Sequence, residues 1–534
     1  MSAGANPATD YAEHKKVVYT KRHPALLIMG LAMLAIGYLT DSGALLGTLK
    51  YLAADKNAPE MIKLSMFFGA VASVFGLWHL FGKHTHGELD YYSGTVAGAT
   101  FILFIAMLIR WFLDPWVAVM SKALGPVLAD KYLHDVMGLN YVVLGIVAGM
   151  LIVNVFGIPQ WAQNGVRVSR LGLKTGVILL GTLYSLAELA QLGALSVVLI
   201  GIFVLGSVGL VLWMGKRKGM PNSMTGVLSA GVGVCGVSAA VASAPVVKAK
   251  SSEIAYTIGT ILVWGVGCMF LFPIVGHVLG MGYIQFGAWA GTGILNSAQV
   301  AGAALAFQPN GIETLKVAEI FNITRVLFLP IIVLWLAVWF VKNEEGAQSV
   351  NVGRVVFEKF PVFVLGFILM FALSSTGVFA PANHYQGSYF DNNIKENKLL
   401  KPEEVAKLSA ELAKVQRVDQ KQAMERLITN RKLMSIDDDD TLRGLVNANV
   451  LAKDANSVLK SAHRAVRHTA PKIKAFRDFI AWLFAFGLTG LGMQITIASM
   501  KQAGGQPLVV GGIVGTLKAV GSLIIVLLFV RETI

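Results

Sequence analysis

Two stretches carry residues whose type and spacing point to chemistry inside an otherwise apolar chain. The first, Gly231-Val-Gly-Val-Cys-Gly-Val-Ser-Ala-Ala-Val-Ala-Ser-Ala-Pro245, is almost wholly small residues with two hydroxyls and a closing proline. Glycines this dense weaken a helix by about 1 kcal/mol each relative to alanine. Unwound backbone survives at membrane depth only where it lines a cavity or is buried in protein. Transporters use such broken helices to hold an anion at half-helix N-termini, through backbone N–H groups and the helix dipole. The plainer alternative is a small-residue face for helix packing. The second stretch, Gly291-Thr-Gly-Ile-Leu-Asn-Ser-Ala-Gln-Val-Ala-Gly-Ala303, has the same texture. Ser238–Ala244 aligns on Ser297–Ala303 without a gap and with five of seven residues identical. Paired interrupted segments mark the central site of many transporters, so Cys235, Gly236, Ser238, Asn296, Ser297 and Gln299 are expected to line a substrate site.

Ionisable groups within apolar spans are the next candidates, because each costs at least about 2.5–3.5 kcal/mol at mid-bilayer. Arg325, in Phe321-Asn-Ile-Thr-Arg-Val-Leu-Phe-Leu-Pro330, reads as the charge that holds an anion or closes a gate, or as the partner of nearby Glu319 in a structural pair. Lys174, Lys518 and Glu188 read as groups that snorkel to an interface. No His-Glu-x-x-His, Gly-x-Ser-x-Gly or Walker A glycine-lysine loop is present, and the spans are poor in His, Asp and Glu. An intramembrane enzyme or an ATP-driven pump would need such parts, so the chain is expected not to be an enzyme and to carry no cofactor beyond a coupling ion, H+ or Na+.

The elements that must position these residues follow from composition. The 534 residues are 55% hydrophobic and only 14% charged, against about 25% charged in soluble domains. Lipid is the solvent such a surface requires. The net charge of +14 sits largely in loops between apolar runs, where orientation signals belong, and no zinc knuckle or basic-aromatic patch points to nucleic acid. Cys235 and Cys268 both lie in apolar segments, so no disulfide framework is implied.

About 13 apolar runs long enough to cross a ~30 Å hydrocarbon layer occur near 24–42, 64–82, 94–113, 136–156, 172–192, 194–214, 224–247, 254–280, 287–307, 319–341, 359–379, 477–500 and 507–530. Short basic loops at Lys15–Arg22, Arg167/Arg170 and Lys216–Lys218 are all cytoplasmic if 114–135 is an interfacial helix on the outer side. The fold class is therefore an all-α polytopic membrane protein with two interrupted helices and an inverted-repeat transporter architecture. Matched spacing between Gly181–Gly201 and Gly492–Gly512 (Ala187/Ala498, Gln191/Gln502, Gly193/Gly504) is a further hint of the repeat. Residues 1–135 supply extra N-terminal spans and the interfacial helix, 136–380 the transporter core, and 476–534 a closing helix pair. Residues 381–475 are highly charged, with Val405, Leu408, Leu412 and Val415 at helical spacing, and read as a small helical extramembrane insert on the outer side. Its acidic run Asp437–Asp440 reads as a solvated turn rather than a cation site, since the ligand alternation and glycine of an EF-hand are missing.

These residues resemble the YeiH-like family of bacterial membrane transporters, whose ascribed role is sulfate export. The resemblance rests on Val234-Cys-Gly-Val-Ser-Ala-Ala240 with Ala244-Pro-Val246, Phe286-Gly-Ala-Trp-Ala-Gly-Thr292, Ala298-Gln-Val300, Thr324-Arg325 with Pro330, and Gly490-Leu-Gly492. It covers roughly 136–380 and 476–530 and leaves 1–115 and the insert outside. It implies inverted repeats with crossed, interrupted helices in the bacterial inner membrane, a small anion such as sulfate or a sulfonate as the solute, and room for a homo-oligomer. Where the family carries Ile-His-Asp, this chain has Ile294-Leu295-Asn296, which puts proton coupling in doubt and leaves Asn296 and Gln299 as neutral ligands for substrate or sodium. Three readings follow: an anion exporter, a sodium-coupled symporter of an organic anion, and a membrane sensor that uses the insert.

Overall fold

Helices account for nearly every element of the computed structural model, which describes residues 23–49, 54–82, 88–128, 131–137, 139–184, 186–308, 312–343, 362–380, 390–391, 394, 396–448, 451–501 and 504–530. The N-terminal basic cluster lies outside these residues, as do the side chains of Ala187, Glu188 and Gln191 and all of Gln502, so the Ala187/Ala498 and Gln191/Gln502 members of the spacing match fall in part outside the described residues. In chain order the larger helices are α1 (Ala25–Asp41), α2 (Ala54–Phe81), α3 (Glu88–Leu108), α4 (Asp114–Ala123), α5 (Tyr141–Leu151), α6 (Gln163–Leu180), α7 (Leu186–Arg217), α8 (Asn222–Gly233), α9 (Val237–Ser243) and α10 (Ser251–Val278). There follow α11 (Tyr283–Gly293), α12 (Ser297–Phe307), α13 (Glu313–Leu327), α14 (Leu329–Asn343), α15 (Val362–Ser375), α16 (Pro402–Glu411), α17 (Val418–Asn430), α18 (Ile436–Ala448), α19 (Lys453–Ala465), α20 (Pro471–Gly492) and α21 (Gly505–Phe529).

Among the described residues, seven helical stretches are long and apolar enough to cross a membrane: Ala58–Phe81, Tyr91–Ala123, Gly193–Arg217, Ser252–Val278, Glu313–Asn343, Pro471–Gly492 and Gly505–Phe529. Shorter apolar helices, Ala25–Asp41, Tyr141–Phe156, Ser297–Phe307 and Val362–Ser375, accompany them. The expected 13 crossings are thus not matched one for one, and three differences have physical causes.

The stretch 114–135 does not begin as a separate interfacial helix. A π-helical turn over Ile109–Leu113 joins α3 to α4, and Pro115 falls in the first turn of α4, where its missing N–H costs no helical bond. Run 172–192 is not one helix: α6 stops at Leu180, a 3-10 turn covers Gly181–Leu183, and Tyr184 is extended. The next helix then runs unbroken through Gly193 to Arg217. Run 477–500 ends early, because α20 stops at Gly492. The turn after it is fastened by polar side chains: Asn154 Oδ1 accepts from Ile497 N (2.6 Å), Asn154 Nδ2 donates to Ile495 O (3.0 Å), and Gln494 Nε2 donates to Val166 O (2.9 Å).

The described chain forms two compact units. One is drawn from the chain up to Ile178, from Ala187–Gly366 and from Ile480 onward; the other from Leu179–Leu186 and Phe367–Phe479. The second has its own apolar core of Leu408, Met424, Leu427, Leu442, Leu445 and Leu459, contributed at i, i+3 and i+4 positions by α16 to α19. Helical spacing from Val405 overshoots the element: α16 ends at Glu411, and Val415 reaches the core from extended backbone. The acidic run is not a solvated turn. It is the first turn of α18, with Asp438 and Asp439 buried at 4% and 2% exposure, and Arg426 and Arg443 pair with them at 2.5 and 2.8 Å.

An acid-sensitive contact arises in the same unit. Lys414 Nζ (2.7 Å) and the Ala452 N–H (3.0 Å) both donate to the Glu411 carboxylate and hold it below its ordinary value of 4.5, the Lys414 hydrogen bond being the larger cause. A lowered carboxyl contributes stability that is present above its ordinary value and is lost as pH falls through the folded value. Melting of the full chain below about pH 4.5 should therefore steepen, and Glu411→Gln should flatten that acid limb.

Candidate functional site

Both small-residue stretches break their helices. After α8 ends at Gly233, Val234 leaves helical geometry and Gly236 adopts φ +79°, ψ −126° before α9 begins. That conformation is open to glycine and strained for other residues. After α11 ends at Gly293, Ile294 and Asn296 are extended, and the Asn296 side chain caps α12 by accepting from Ala298 N at 3.2 Å. The breaks touch. A Cβ at Gly236 would stand 3.0 Å from Asn296 Cα and 3.1 Å from Leu295 O, so glycine lets the two segments cross without one of them giving way. Gly236→Ala is expected to strain the backbone by about 1–3 kcal/mol and push the two segments slightly apart, with a lower melting midpoint as the readout.

Each first half-helix ends on a buried cation supplied by another span. Lys518 of α21, 2% exposed, donates from Nζ to Val232 O (3.1 Å) and Gly233 O (2.9 Å), the last carbonyls of α8. Arg325 of α13, fully buried, donates from one terminal nitrogen to Ile294 O, beside the end of α11, and from the other to Asn322 Oδ1 (2.9 Å). Asn322 Nδ2 in turn donates to Glu319 at 2.9 Å. Arg325 and Glu319 are thus joined through Asn322. A helix C-terminus carries about half a negative charge, and the two cations sit where that charge is concentrated. The half-helix N-termini at the same breaks keep their positive ends. Asn140 fixes the far end of α12, accepting from Val142 N and Val143 N while donating to Leu305 O (2.9 Å).

The cluster leaves polar atoms over. Among the described residues, Arg325 Nε, Ser297 Oγ and both amide atoms of Gln299 are buried without a hydrogen-bond partner, and buried polar atoms are seldom left so. The Gln299 side chain lies against Gly265 of α10, where a Cβ would collide with it. Of the residues singled out by sequence, Cys235, Gly236, Asn296, Gln299 and Arg325 are buried at or beside the crossing, and Ser297 is half-buried at the start of α12. Ser238 differs: it is exposed, and the cluster does not enclose it. Cys235 is a buried free thiol.

Sequence reasoning misplaced Lys518 as a snorkelling residue. It stands 13 residues after Gly505 and 11 before Phe529 in α21. At 1.5 Å per residue it lies roughly 16–20 Å from either end, beyond the reach of a four-carbon stem. That position was the available signal. Lys174, by contrast, is exposed.

The family described as Conserved hypothetical protein 698 matches residues 104–390, which contain both breaks and Arg325. That is over half of the chain. A UPF0324 membrane protein of Nitratidesulfovibrio vulgaris, strain Hildenborough, is 34% identical over 431 residues, covering 79% of this chain and 92% of the relative. The chain belongs to this family. A second UPF0324 membrane protein of that organism is 40% identical over 268 residues, 49% of this chain and 73% of its own length. One from Bacillus cereus is 29% identical over 255 residues, 47% of this chain and 73% of its own. No solved structure matches. With its apolar helices and these relatives, the chain is a multi-pass membrane protein of the UPF0324 family; the narrower sulfate-exporter assignment does not follow from the relatives, whose names state a membrane protein and no solute.

Proposed function

We propose that this UPF0324 member is a secondary transporter that moves a small anion, sulfate or a related sulfur oxyanion or sulfonate, outward across the cytoplasmic membrane. The supporting observation is the crossing itself: two broken helices in contact at Gly236 and Asn296, each with its carbonyl end neutralised by a buried cation. With the negative ends capped, the groups left at the crossing are the N-terminus of α12 and two buried cations against one carboxylate, Glu319, joined to Arg325 through Asn322, a balance that favours an anion. The 11-residue α12 offers its N-terminus together with Ser297 Oγ, the Gln299 amide and Arg325 Nε, all still lacking partners. The matching break-and-cation arrangement in two sequence-related segments supports an inverted repeat. The N-terminus is placed in the cytoplasm and the 381–475 insert outside on the basic-loop argument.

The unpartnered neutral oxygens of Ser297 and Gln299 favour one variation, in which sodium binds there and drives an organic anion. A thermal-stability screen of the purified protein with sulfate, sulfite, thiosulfate, sulfonates and carboxylates, each with and without sodium, separates the readings. A ligand at 100 times its Kd adds about 2.7 kcal/mol. A shift with one sulfur oxyanion irrespective of sodium supports the exporter, and a sodium-dependent shift with a carboxylate supports the symporter. Stabilisation by cations or neutral solutes alone would discard both.

A further inference from the structure

We propose that the charged insert holds a divalent transition metal, zinc foremost, between Asp439, His463 and His468. The Nδ1 of His463 lies 2.8 Å from Asp439 Oδ1, and the Nε2 of His468 lies 3.6 Å from Asp439 Oδ2. One ligating atom from each residue falls within 4.8 Å of the other two. Tetrahedral zinc with bonds of about 2.0–2.1 Å holds its ligand atoms about 3.3 Å apart, so small side-chain rotations close the site. Two imidazoles and one carboxylate suit zinc and other divalent transition metals, whereas calcium and magnesium demand oxygen ligands.

Three further observations point the same way. His468 Nε2 is a buried atom with no hydrogen-bond partner among the described residues. Asp439 is 2% exposed, and Arg443 Nη2 holds its Oδ2 at 2.8 Å, the outer-shell contact that orients a ligating carboxylate. Arg443 also stands 3.5 Å from Asp440, so its charge keeps a partner when the metal takes a share of Asp439. Beside the triad a cavity of ≈ 210 Å³, lined in part by Asp439, Arg443 and His463, leaves room for water at the fourth position. Bound metal would clip the first turn of α18 to the end of α19 and the chain that follows it.

Chelator-stripped full-length protein in detergent is titrated with zinc chloride against a chromophoric zinc competitor, and its metal content is measured after desalting. Wild type should retain one equivalent more than His468→Gln and should gain a zinc-dependent rise in melting midpoint that the variant lacks. Loss of an outer-shell partner already weakens metal binding about 10–100-fold, so loss of a ligand should weaken it at least about tenfold. His468 makes no hydrogen bond from Nε2, so the variant should melt like metal-free wild type. His463→Gln is the second variant and should lose the same equivalent. Equal zinc content and affinity in wild type and in whichever variant folds overturns the site.

Discussion

Lys518→Met is expected to destabilise the protein and to stop transport. Methionine fills the space of the lysine stem without its ammonium, so Val232 O and Gly233 O lose the donor that reaches them at 3.1 and 2.9 Å. A buried carbonyl left without a donor costs about 1–3 kcal/mol. Part of that loss is recovered by no longer holding a charge away from water. A net loss of about 2–4 kcal/mol is expected, read as a lower melting midpoint in detergent. The crossing would also lose one of the two charges that offset its carbonyl ends, so anion flux in proteoliposomes should fall at least tenfold. Lys518→Arg keeps a charge and donors and should retain part of both. A Lys518→Met protein that melts like wild type would show that the carbonyls find other donors and that the cap is dispensable.

The two broken helices could be read from sequence because their cause is local. Glycine density and a positive-φ position weaken α8–α9 whatever surrounds them, and the same small residues that break the helices permit the close crossing at Gly236 and Asn296. Arg325 was also legible, as a charge with nowhere else to go. What could not be read was the partner of each group. Arg325 meets Ile294 O, 31 residues away, and Lys518 meets Gly233 O, 285 residues away. No periodicity encodes such pairings, and the lysine's distance from both ends of α21 marks it only as buried. The early end of α20 was hidden for a related reason. Hydropathy counts apolar residues on through Met493 and Ile495, whereas the helix stops where Asn154, from a distant segment, bonds Ile495 O and Ile497 N. In the insert, an acidic run that reads as solvated is half-buried because Arg426, from another helix, pairs with Asp438.

Arg325→Gln should remove anion binding while leaving a folded protein, and it separates the cap from the ligand. The guanidinium spends its two terminal nitrogens on Ile294 O and Asn322 Oδ1 and keeps Nε without a partner. A glutamine amide can replace one of the two terminal donors, so the structural cost is limited to about one hydrogen bond, roughly 1–3 kcal/mol. What it cannot replace is the charge and the third N–H. A charge-assisted hydrogen bond contributes about 1.5–3 kcal/mol, or roughly ten- to hundredfold in Kd. Anion-induced thermal stabilisation should therefore vanish at concentrations that saturate wild type, with the unliganded midpoint only modestly lowered. Arg325→Lys should recover part of the affinity, since a lysine restores charge but lacks the planar fork that reaches Ile294 and Asn322 together. Unchanged affinity in folded Arg325→Gln protein would reduce Arg325 to a helix cap. The positive charge an anion meets at the crossing would then have to come from Lys518 and the N-terminus of α12.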